Sequence, residues 1–431
     1  MLNDQSQSGL PIDDKPPTQS PSSPSGSPLD SPTNDYFTNE LPATDHFADM
    51  LSSIIPGSTV DKIMGMIYGH ALGDAVGLTT SFKPKGYEGA KFPYTEKIKS
   101  YPVCDWSSNT DQLCLSIMSI ICAGSGQFDP LDVSKRLDKY SREGFGELGD
   151  KVGTLAPCTT SIIRNVDFVL SPKEVAIAQW NASGCNLATN SCLMRVSIAA
   201  ALPPPDLIEW GIGLSLTTHA DPRCTAASVI HTNILHSIIY GIIDCPERID
   251  ELLYNSVKCG REFLSKKEDT ELSIWIKSAY TGRLATLQLD KVERINYVFK
   301  CLGCNIYVLQ IIKVAISGKT VPSFKKVINK FAMEGGDSSS NTALAGSVLG
   351  CYLGYSALPL DWIKALPNYL WLCELLVKLI KTITALWESY DASIGASGSK
   401  ARAASSHVTA SPATSDSATV YTNTIDLTDV D

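Results

Sequence analysis

The sequence predicts an all-α protein whose folded part lies between two tails of low complexity. Two observations support the helical prediction. Apolar residues recur at spacings of three and four, the period of a helix with one buried face, and short runs that contain Pro or Gly separate these segments. The alternation that is typical of strands is scarce. The helical period is clearest in the segments 112–122, 223–243, 248–264 and 305–316.

The two ends of the chain have compositions that do not favour folding. Residues 1–56 are rich in Pro, Ser and Gly, and residues 392–431 are rich in Ala, Ser and Thr. Such segments bury too little apolar surface to offset the loss of chain entropy on folding. We therefore predict disordered tails on either side of one folded domain at 57–391.

The formal net charge of −9 belongs to these tails rather than to the folded domain. Residues 1–56 contain eight acidic side chains and one basic side chain, and residues 392–431 contain four and two. The domain between them is formally neutral, with neither a basic stripe nor a long charge run. This pattern predicts no direct nucleic-acid partner and no membrane partner.

Thirteen cysteines are scattered through the sequence, mostly within apolar runs, and no apolar signal segment opens it. This usage indicates reduced thiols and an intracellular location, cytoplasmic or nuclear. Cys301 and Cys304 form a lone CxxC, which is a weak indication of a metal or redox site. The apolar segment 369–387 places its three charged residues on one helical face, so we predict a core helix there rather than a membrane span.

Two segments repeat glycine every four residues. A glycine inside a helix costs about 1 kcal/mol relative to alanine, so a stack of them on one face indicates close approach by another helix or by a ligand. The sequence leaves these two alternatives open. The glycines are Gly65, Gly69, Gly73 and Gly77 in the first segment, and Gly346, Gly350 and Gly354 in the second.

The segment Asp105–Gln112 reads Asp-Trp-Ser-Ser-Asn-Thr-Asp-Gln. It resembles the Asp-Trp-Thr-Asp-Asp-Thr-Asp-Gln motif of the ADP-ribosylglycohydrolases, enzymes that remove ADP-ribose from modified side chains. Further segments resemble motifs of the same family, in the family's order, across about 300 residues. They are Gly69–Phe82, Gly144–Asp150 with Gly153 and Thr154, Asn190–Arg195, Ser215–Cys224 and Gly335–Asn341.

This resemblance implies a single large orthogonal helical bundle with an ADP-ribose pocket. Gly335 and Gly336 also precede a polar cluster and an apolar helix, a helix N-terminus of the kind that favours anions. His219 stands where a family histidine lines the pocket. Carried over residue by residue, the positions implied to bind ADP-ribose are Gly149, Gly153, Thr154, Asn190, His219 and Asn341.

The resemblance also implies a magnesium site, but its acidic residues are mostly replaced. The family holds two Mg²⁺ ions with a Thr-Asp-Asp segment and an Asp-x-Asp-Thr segment. Ser81 stands where family members often place a catalytic glutamate. We therefore expect magnesium to be lost or reduced to one weakly held ion. The six positions that correspond to the family's ligands are Ser107, Ser108, Asn109, Asp337, Ser339 and Ser340, of which one is a carboxylate.

Three functions remain open from the sequence. The substitutions favour a catalytically degenerate family member that binds ADP-ribose or a related nucleotide. The first alternative is an active ADP-ribosyl hydrolase with a rearranged or mononuclear site that uses Asp74, Asp105, Asp111 or Asp337; helix capping and loop orientation are the expected roles of Asp105 and Asp111. The second alternative is a purely structural use of the fold.

The last eight residues suggest a protein contact. Thr424–Asp431 resembles a SUMO-interacting motif, in which a short apolar strand with acidic neighbours adds to a sheet edge. Thr424 occupies the motif's first apolar position. We predict a SUMO contact through residues 424–431.

Overall fold

The computed structural model describes residues 54–87, 91–98, 101–149 and 154–405. These residues form fourteen α-helices and five 3₁₀ helices, and no β-strand is found among them. The prediction of an all-α protein is therefore confirmed. The N-terminal tail up to residue 53, Gly153 and the motif at 424–431 lie outside the described residues.

We number the α-helices in chain order. They are α1 (Thr59–Leu78), α2 (Ser108–Ala123), α3 (Pro130–Glu143), α4 (Pro157–Ile163), α5 (Pro172–Ala182), α6 (Pro204–Leu216), α7 (Pro222–Tyr240), α8 (Pro246–Arg261), α9 (Lys266–Thr281), α10 (Val298–Ser317), α11 (Phe324–Ala332), α12 (Ser338–Leu353), α13 (Leu360–Ala365) and α14 (Tyr369–Ser405). The 3₁₀ helices are Gly146–Leu148, Asn190–Arg195, Ser197–Ala201, Leu284–Leu287 and Tyr355–Ala357.

Proline and hydrogen-bonding caps set where many helices begin. Each of the six helices from α3 to α8 starts at a proline, whose missing N–H is not needed in the first turn. At α9, the Ser265 hydroxyl and the Glu268 carboxylate cap each other's backbone N–H groups, the reciprocal arrangement of a capping box. These boundaries are local properties of the sequence.

Two of the four predicted helical segments end earlier in the structure than their apolar period suggests. Helix α7 ends at Tyr240 because Gly241 takes an extended backbone conformation, and Ile242 beyond it is exposed. Helix α8 ends at Arg261, and Phe263 lies in the turn that leads to the cap of α9. In both segments, the apolar spacing in the sequence therefore extends a few residues beyond the end of the helix.

The glycine repeats bring α1 and α12 into direct backbone contact. A Cβ atom built on Gly69 would lie less than 3.0 Å from the carbonyl oxygen of Gly346, and one on Gly346 would lie as close to the oxygen of Gly69. Gly65 and Gly350 have the same reciprocal relationship. Of the two alternatives, helix packing is therefore the one that the structure shows.

This helix pair lies in the centre of the protein. Seventeen of the twenty residues of α1 and fourteen of the sixteen of α12 are buried, as expected for helices that are covered on all sides. Helix α10 is, by length and composition, apolar enough to cross a membrane, but fourteen of its twenty residues are buried inside the protein. A buried core helix can have the same length and composition.

The last helix extends beyond the boundary that the composition suggested. Helix α14 runs from Tyr369 to Ser405, so residue 392, the predicted start of the C-terminal tail, lies inside a helix. Alanine has the highest helix propensity, and an Ala-rich segment can therefore continue a helix without a hydrophobic face. In the first half of α14, Leu372, Leu376 and Leu379 are buried.

Candidate functional site

Asp74 in α1 holds the N-terminus of α2. Its Oδ2 accepts hydrogen bonds from the backbone N–H groups of Ser107 and Thr110 at 2.9 and 3.1 Å, and from the Thr110 hydroxyl at 2.8 Å. Its Oδ1 accepts from the Ser107 hydroxyl at 2.7 Å. Burial raises the pKa of Asp74 to about 6, although these hydrogen bonds favour the carboxylate. Asp74 therefore positions the motif segment.

Asp105 and Asp111 hold the rest of this segment in place. Asp105 Oδ1 accepts from the backbone N–H of Trp106 at 2.9 Å. Asp111 accepts from the Trp106 indole N–H at 2.9 Å and from the Tyr140 hydroxyl at 2.7 Å. Both carboxylates are buried and lie within networks that orient the loop.

Asp337 directly precedes α12, and the two residues before it are glycines whose backbone conformation favours glycine. Gly335 and Gly336 have φ values of 69° and 67°, and a Cβ atom on Gly336 would lie less than 3.0 Å from the carbonyl oxygen of Leu289. The Asp337 carboxylate accepts from Asn190 Nδ2 at 2.8 Å and from the Ser340 hydroxyl at 3.0 Å. Burial raises its pKa, while these two hydrogen bonds act in the opposite direction.

A short backbone pairing brings Asn190 to this position. The N–H of Asn190 donates to the Asn296 carbonyl at 2.9 Å, and the N–H of Val298 donates to the Ala188 carbonyl at 3.1 Å. The intervening Thr189 forms an isolated antiparallel bridge with Tyr297. The start of α10 thereby anchors the segment that faces Asp337.

The N-termini of α2 and α12 meet through uncharged groups. Asn109 Nδ2 lies 3.4 Å from both Ser339 Oγ and Ser340 Oγ. Ser81 Oγ lies 3.5 Å from Ser339 Oγ. These distances are at the long end for hydrogen bonds. Four predicted positions on three separate segments are therefore neighbours in the fold.

The loop that carries Ser81 is fixed to the loop before α12. The N–H of Phe82 donates to the Gly336 carbonyl at 2.6 Å, and the N–H of Gly336 donates to the Lys83 carbonyl at 3.0 Å. Lys85 forms an ion pair with Glu334 at 2.6 Å. This pairing places Ser81 beside α12.

His219 is held at both ring nitrogens by threonines. Nε2 lies 2.7 Å from Thr189 Oγ1, and Nδ1 lies 2.7 Å from Thr218 Oγ1. Burial, assisted by the charge of Arg195, lowers the pKa of His219 to about 3. The imidazole is therefore neutral near pH 7 and is kept in one orientation.

The other predicted positions differ in how closely they join this cluster. Ser108 Oγ donates to the Thr154 carbonyl at 2.9 Å. Asn341 is buried in the first turns of α12, and within the described residues neither atom of its amide group has a hydrogen-bond partner. Gly149 ends a 3₁₀ helix with φ 67°, and no described atom lies within 4 Å of the place its Cβ would take.

Arg195 links several of these segments, a role that motif matching alone did not reveal. The fully buried guanidinium donates to the Leu214 carbonyl at 2.9 Å, to Gln112 Oε1 at 2.7 Å and to Thr218 Oγ1. Gln112 and Arg195 are each the last residue of a matched motif, and this position was the available indication of a role for them. Thr189, the partner of His219, lies outside the matched motifs, and no sequence pattern indicated its role.

The cluster has few metal-binding groups. In the part of the chain that the structure describes, no group of three or more His, Cys, Asp or Glu side chains is arranged to hold a metal ion. Of the six positions predicted from the family's metal site, Asp337 is the carboxylate, and Asn190 and Ser340 already donate to it.

The sequence of this helical domain matches that of a known family. The chain belongs to the ADP-ribosylglycohydrolase family, whose sequence model matches residues 56–390. The predicted family resemblance and the predicted fold are both confirmed.

Three known proteins are similar to the chain, each at 22% identity. The ADP-ribosyl-[dinitrogen reductase] glycohydrolase of Rhodospirillum rubrum aligns over 318 residues, 72% of this chain and 91% of that protein. The ADP-ribosylarginine hydrolase Tri1 of Serratia proteamaculans aligns over 325 residues, 73% and 77% respectively. The ADP-ribosylhydrolase ARH3 of Xenopus tropicalis aligns over 339 residues, 72% and 92%.

A solved structure shows the same fold. It is described as an ADP-ribosylglycohydrolase-related protein complex and superposes with a TM-score of 0.51 at 20% sequence identity. The match covers 76% of this chain and 99% of the other.

Proposed function

We propose that this chain is a catalytically degenerate ADP-ribosylglycohydrolase that binds ADP-ribose or an ADP-ribosylated molecule without hydrolysing it. One observation carries the proposal. The cluster formed by Ser81, Asn109, Ser339 and Ser340 joins the two helix N-termini through neutral groups, where the family motifs have several carboxylates.

The donor set does not fit a pair of magnesium ions. Two divalent ions about 4 Å apart repel by roughly 16 kcal/mol at an effective dielectric constant of 20. Mg²⁺ relies on carboxylates or phosphates because it loses water reluctantly. Asp337 alone carries charge among the six predicted positions, and Ser107 and Ser108 already donate to Asp74 and to the Thr154 carbonyl. No step of a reaction is therefore assigned to magnesium.

The cluster also lacks a group suited to acid–base catalysis. Ser81 neighbours the Ser339 hydroxyl rather than a carboxylate, and a serine needs an adjacent base to become a nucleophile. Asp74 accepts hydrogen bonds from both Ser107 and Thr110. Its lone pairs are thus engaged in holding α2.

The same groups suit an anionic nucleotide. Helix α12 is sixteen residues long and no side chain among the described residues caps its N-terminus, and such an N-terminus favours anions through free N–H groups and the helix dipole. The Asn109 amide adds a donor without adding charge. Asn341, buried without a partner among the described residues, supplies an amide that a ligand could satisfy. The names of the three relatives make ADP-ribose the ligand to test.

The decisive experiment measures ADP-ribose binding and release together. We expect isothermal titration calorimetry to show binding that is unchanged when Mg²⁺ is replaced by a chelator. We expect no release of ADP-ribose from an ADP-ribosylated protein under either condition. Magnesium-dependent release would contradict the proposal and favour a mononuclear site, particularly if Asp337→Asn abolished it. Absence of binding would favour the structural use of the fold.

A matched pair of variants tests where the ligand lies. Asn109→Asp adds a negative charge between the two helix N-termini and should weaken ADP-ribose binding at least about tenfold without Mg²⁺. Gln127→Glu adds the same charge at an exposed position and should leave binding unchanged. Equal effects of the two variants would argue against ligand binding at the cluster.

Two predictions about cellular context also remain proposals. We propose a SUMO contact through residues 424–431, to be tested by binding of a peptide that ends at Asp431 and by its loss in Leu427→Ala. We propose an intracellular location, cytoplasmic or nuclear, because all thirteen cysteines are free thiols. Imaging of the tagged full-length chain tests the location.

A further inference from the structure

Arg195 is a buried charge without an acidic partner. Its guanidinium is fully buried and donates to the side chains of Gln112 and Thr218 and to the Leu214 carbonyl, all neutral acceptors. Within the described part of the chain, no carboxylate forms an ion pair with it. An uncompensated buried charge is strongly destabilising, so ionisable groups close to Arg195 affect the stability of this site.

Three thiols and the His219 imidazole are ionisable groups near Arg195. Negative charge on Cys192, Cys158 or Cys224 would stabilise its guanidinium. Cys192 precedes Arg195 in the same 3₁₀ helix, and Cys224 lies in the first turn of α7. The Sγ atoms of Cys192 and Cys224 lie 3.5 and 3.4 Å from one acceptor, the carbonyl oxygen of Thr189.

The two thiols differ in their tendency to ionise. Burial opposes ionisation of Cys192, but hydrogen bonding with the Cys224 thiol and the charge of Arg195 outweigh burial and lower the pKa of Cys192. Burial raises the pKa of Cys224 well above its ordinary value, and the neighbouring Cys192 and Asp221 add to this effect. Of the two sulfurs, that of Cys192 is therefore the more easily ionised.

We propose that Cys192 and Cys224 form a modification site at which hydroperoxides convert the two thiols into a disulfide. The Cys192 sulfur attacks one oxygen of the hydroperoxide, the O–O bond breaks, and the alcohol (water, for hydrogen peroxide) leaves with a proton. The Cys224 sulfur then attacks the Cys192 sulfenic acid, the S–S bond forms and water leaves. Two thiols lose two electrons and two protons, and the peroxide is reduced.

The pair lies close to a side chain that reaches solvent. Cys158 is partly exposed, and its Sγ lies 3.1 Å from the hydroxyl of Thr189, the residue whose carbonyl accepts from both buried thiols. Thr189 therefore contacts the partly exposed Cys158 thiol through its hydroxyl and the two buried thiols through its carbonyl. Cys122, Cys185 and Cys259 are exposed, and none of them lies in the 3₁₀ helix that carries Cys192 and Arg195.

Oxidation would act on the predicted ligand pocket, and this consequence rests on the proposed function. A disulfide has no S–H group, so the Thr189 carbonyl would lose both thiol donors. The Thr189 hydroxyl holds His219 Nε2, and Thr218, a partner of Arg195, holds Nδ1. Both supports of the His219 ring are therefore connected to the dithiol.

Peptide mapping tests the modification itself. The purified full-length protein is treated with hydrogen peroxide, its remaining thiols are alkylated, and its peptides are analysed by mass spectrometry without reduction. We expect a Cys192–Cys224 disulfide that dithiothreitol reverses. It should be absent from Cys192→Ser and Cys224→Ser and present in Cys259→Ser. Circular dichroism establishes that each variant is folded.

Three results would overturn the proposal. The first is that Cys192 and Cys224 remain reduced while exposed cysteines are oxidised. The second is a disulfide that joins either residue to a different cysteine. The third is formation of the bond only in the presence of unfolding concentrations of urea, which would make it a property of the unfolded chain.

A second measurement tests the effect on the pocket. We expect the mapped disulfide to weaken ADP-ribose binding about tenfold, with recovery after reduction and with no effect of peroxide on Cys192→Ser. Unchanged affinity of the oxidised protein would refute the regulatory effect. If the reduced wild-type chain binds no ADP-ribose, the proposed function fails, whereas the peptide map still decides the modification site.

Discussion

The hydroxyl of Ser81 lies 3.5 Å from the hydroxyl of Ser339, so the loop after α1 and the first turn of α12 meet through two uncharged groups. Asn109 joins Ser339 and Ser340 from α2 in the same way. Ser81, Asn109 and Ser339 are far apart in the sequence and lie together in the fold. Asn109 and Ser340 also donate to carboxylates, those of Asp74 at 3.4 Å and Asp337 at 3.0 Å.

Restoring carboxylates should create a metal site. We expect Mg²⁺ to raise the midpoint of thermal unfolding of the triple variant Ser108→Asp, Asn109→Asp, Ser339→Asp, because the new carboxylates join Asp337. Without Mg²⁺ the variant should be less stable than wild type, since like charges repel. The matched variant Ser108→Asn, Ser339→Asn, which keeps Asn109, should respond to Mg²⁺ as wild type does. No response in the triple variant would show that the scaffold no longer supports the metal geometry.

Asp74 is expected to stabilise the folded protein, because it holds the N-terminus of α2. We expect Asp74→Asn to lower the free energy of unfolding by about 3 kcal/mol, because the amide nitrogen would face N–H and O–H donors that the carboxylate now accepts. Asp129→Asn is the control, since Asp129 caps α3 at an exposed position and should cost about 1 kcal/mol or less. Urea unfolding measures both. A small effect at Asp74 would contradict the assigned role.

His219 should make stability depend on pH. Its pKa is lowered to about 3 in the folded protein, whereas an unfolded histidine has a pKa of about 6.5. The unfolded chain therefore binds the extra proton between these values, and stability falls as pH decreases from about 6.5 towards 3. We expect His219→Gln to remove about 1.4 kcal/mol per pH unit from this slope. Parallel curves for variant and wild type, from urea unfolding at several pH values, would refute the prediction.

The contact between α1 and α12 should not tolerate a methyl group. In Gly69→Ala the new Cβ would collide with backbone atoms of Gly346 and Gly350, which cannot move away as a flexible side chain could. We expect a loss of at least about 3 kcal/mol of stability or failure to fold. Gly146→Ala, where no described atom lies within 4 Å of the new Cβ, should change stability by about 0.5 kcal/mol or less. Soluble expression and thermal unfolding distinguish the two.

Site residues could be predicted where they lie in family motifs. Residues outside those motifs that contact the site from a distant part of the sequence could not. Asn109, Asp337, Ser339 and Ser340 lie in matched motifs, and the structure brings them together. Thr189 holds His219 from thirty positions away, and no local pattern identifies a threonine for that purpose. The glycine repeats predicted a close approach, but the identity of the approaching group required the coordinates of both helices.

The sequence by itself determined that the chain is helical and that it resembles the ADP-ribosylglycohydrolases, and it places one carboxylate among the six positions that this resemblance assigns to metal binding. These properties depend on residue type and spacing along the chain. The tertiary structure decided that Asp74 is engaged with α2, that α1 and α12 meet at their glycines, and that Arg195 lies among thiols. Hydrogen bonds and buried charges depend on distances between segments, such as Asp74 and Ser107, 33 positions apart, or Gln112 and Arg195, 83 apart. Such distances exist only once the helices have packed.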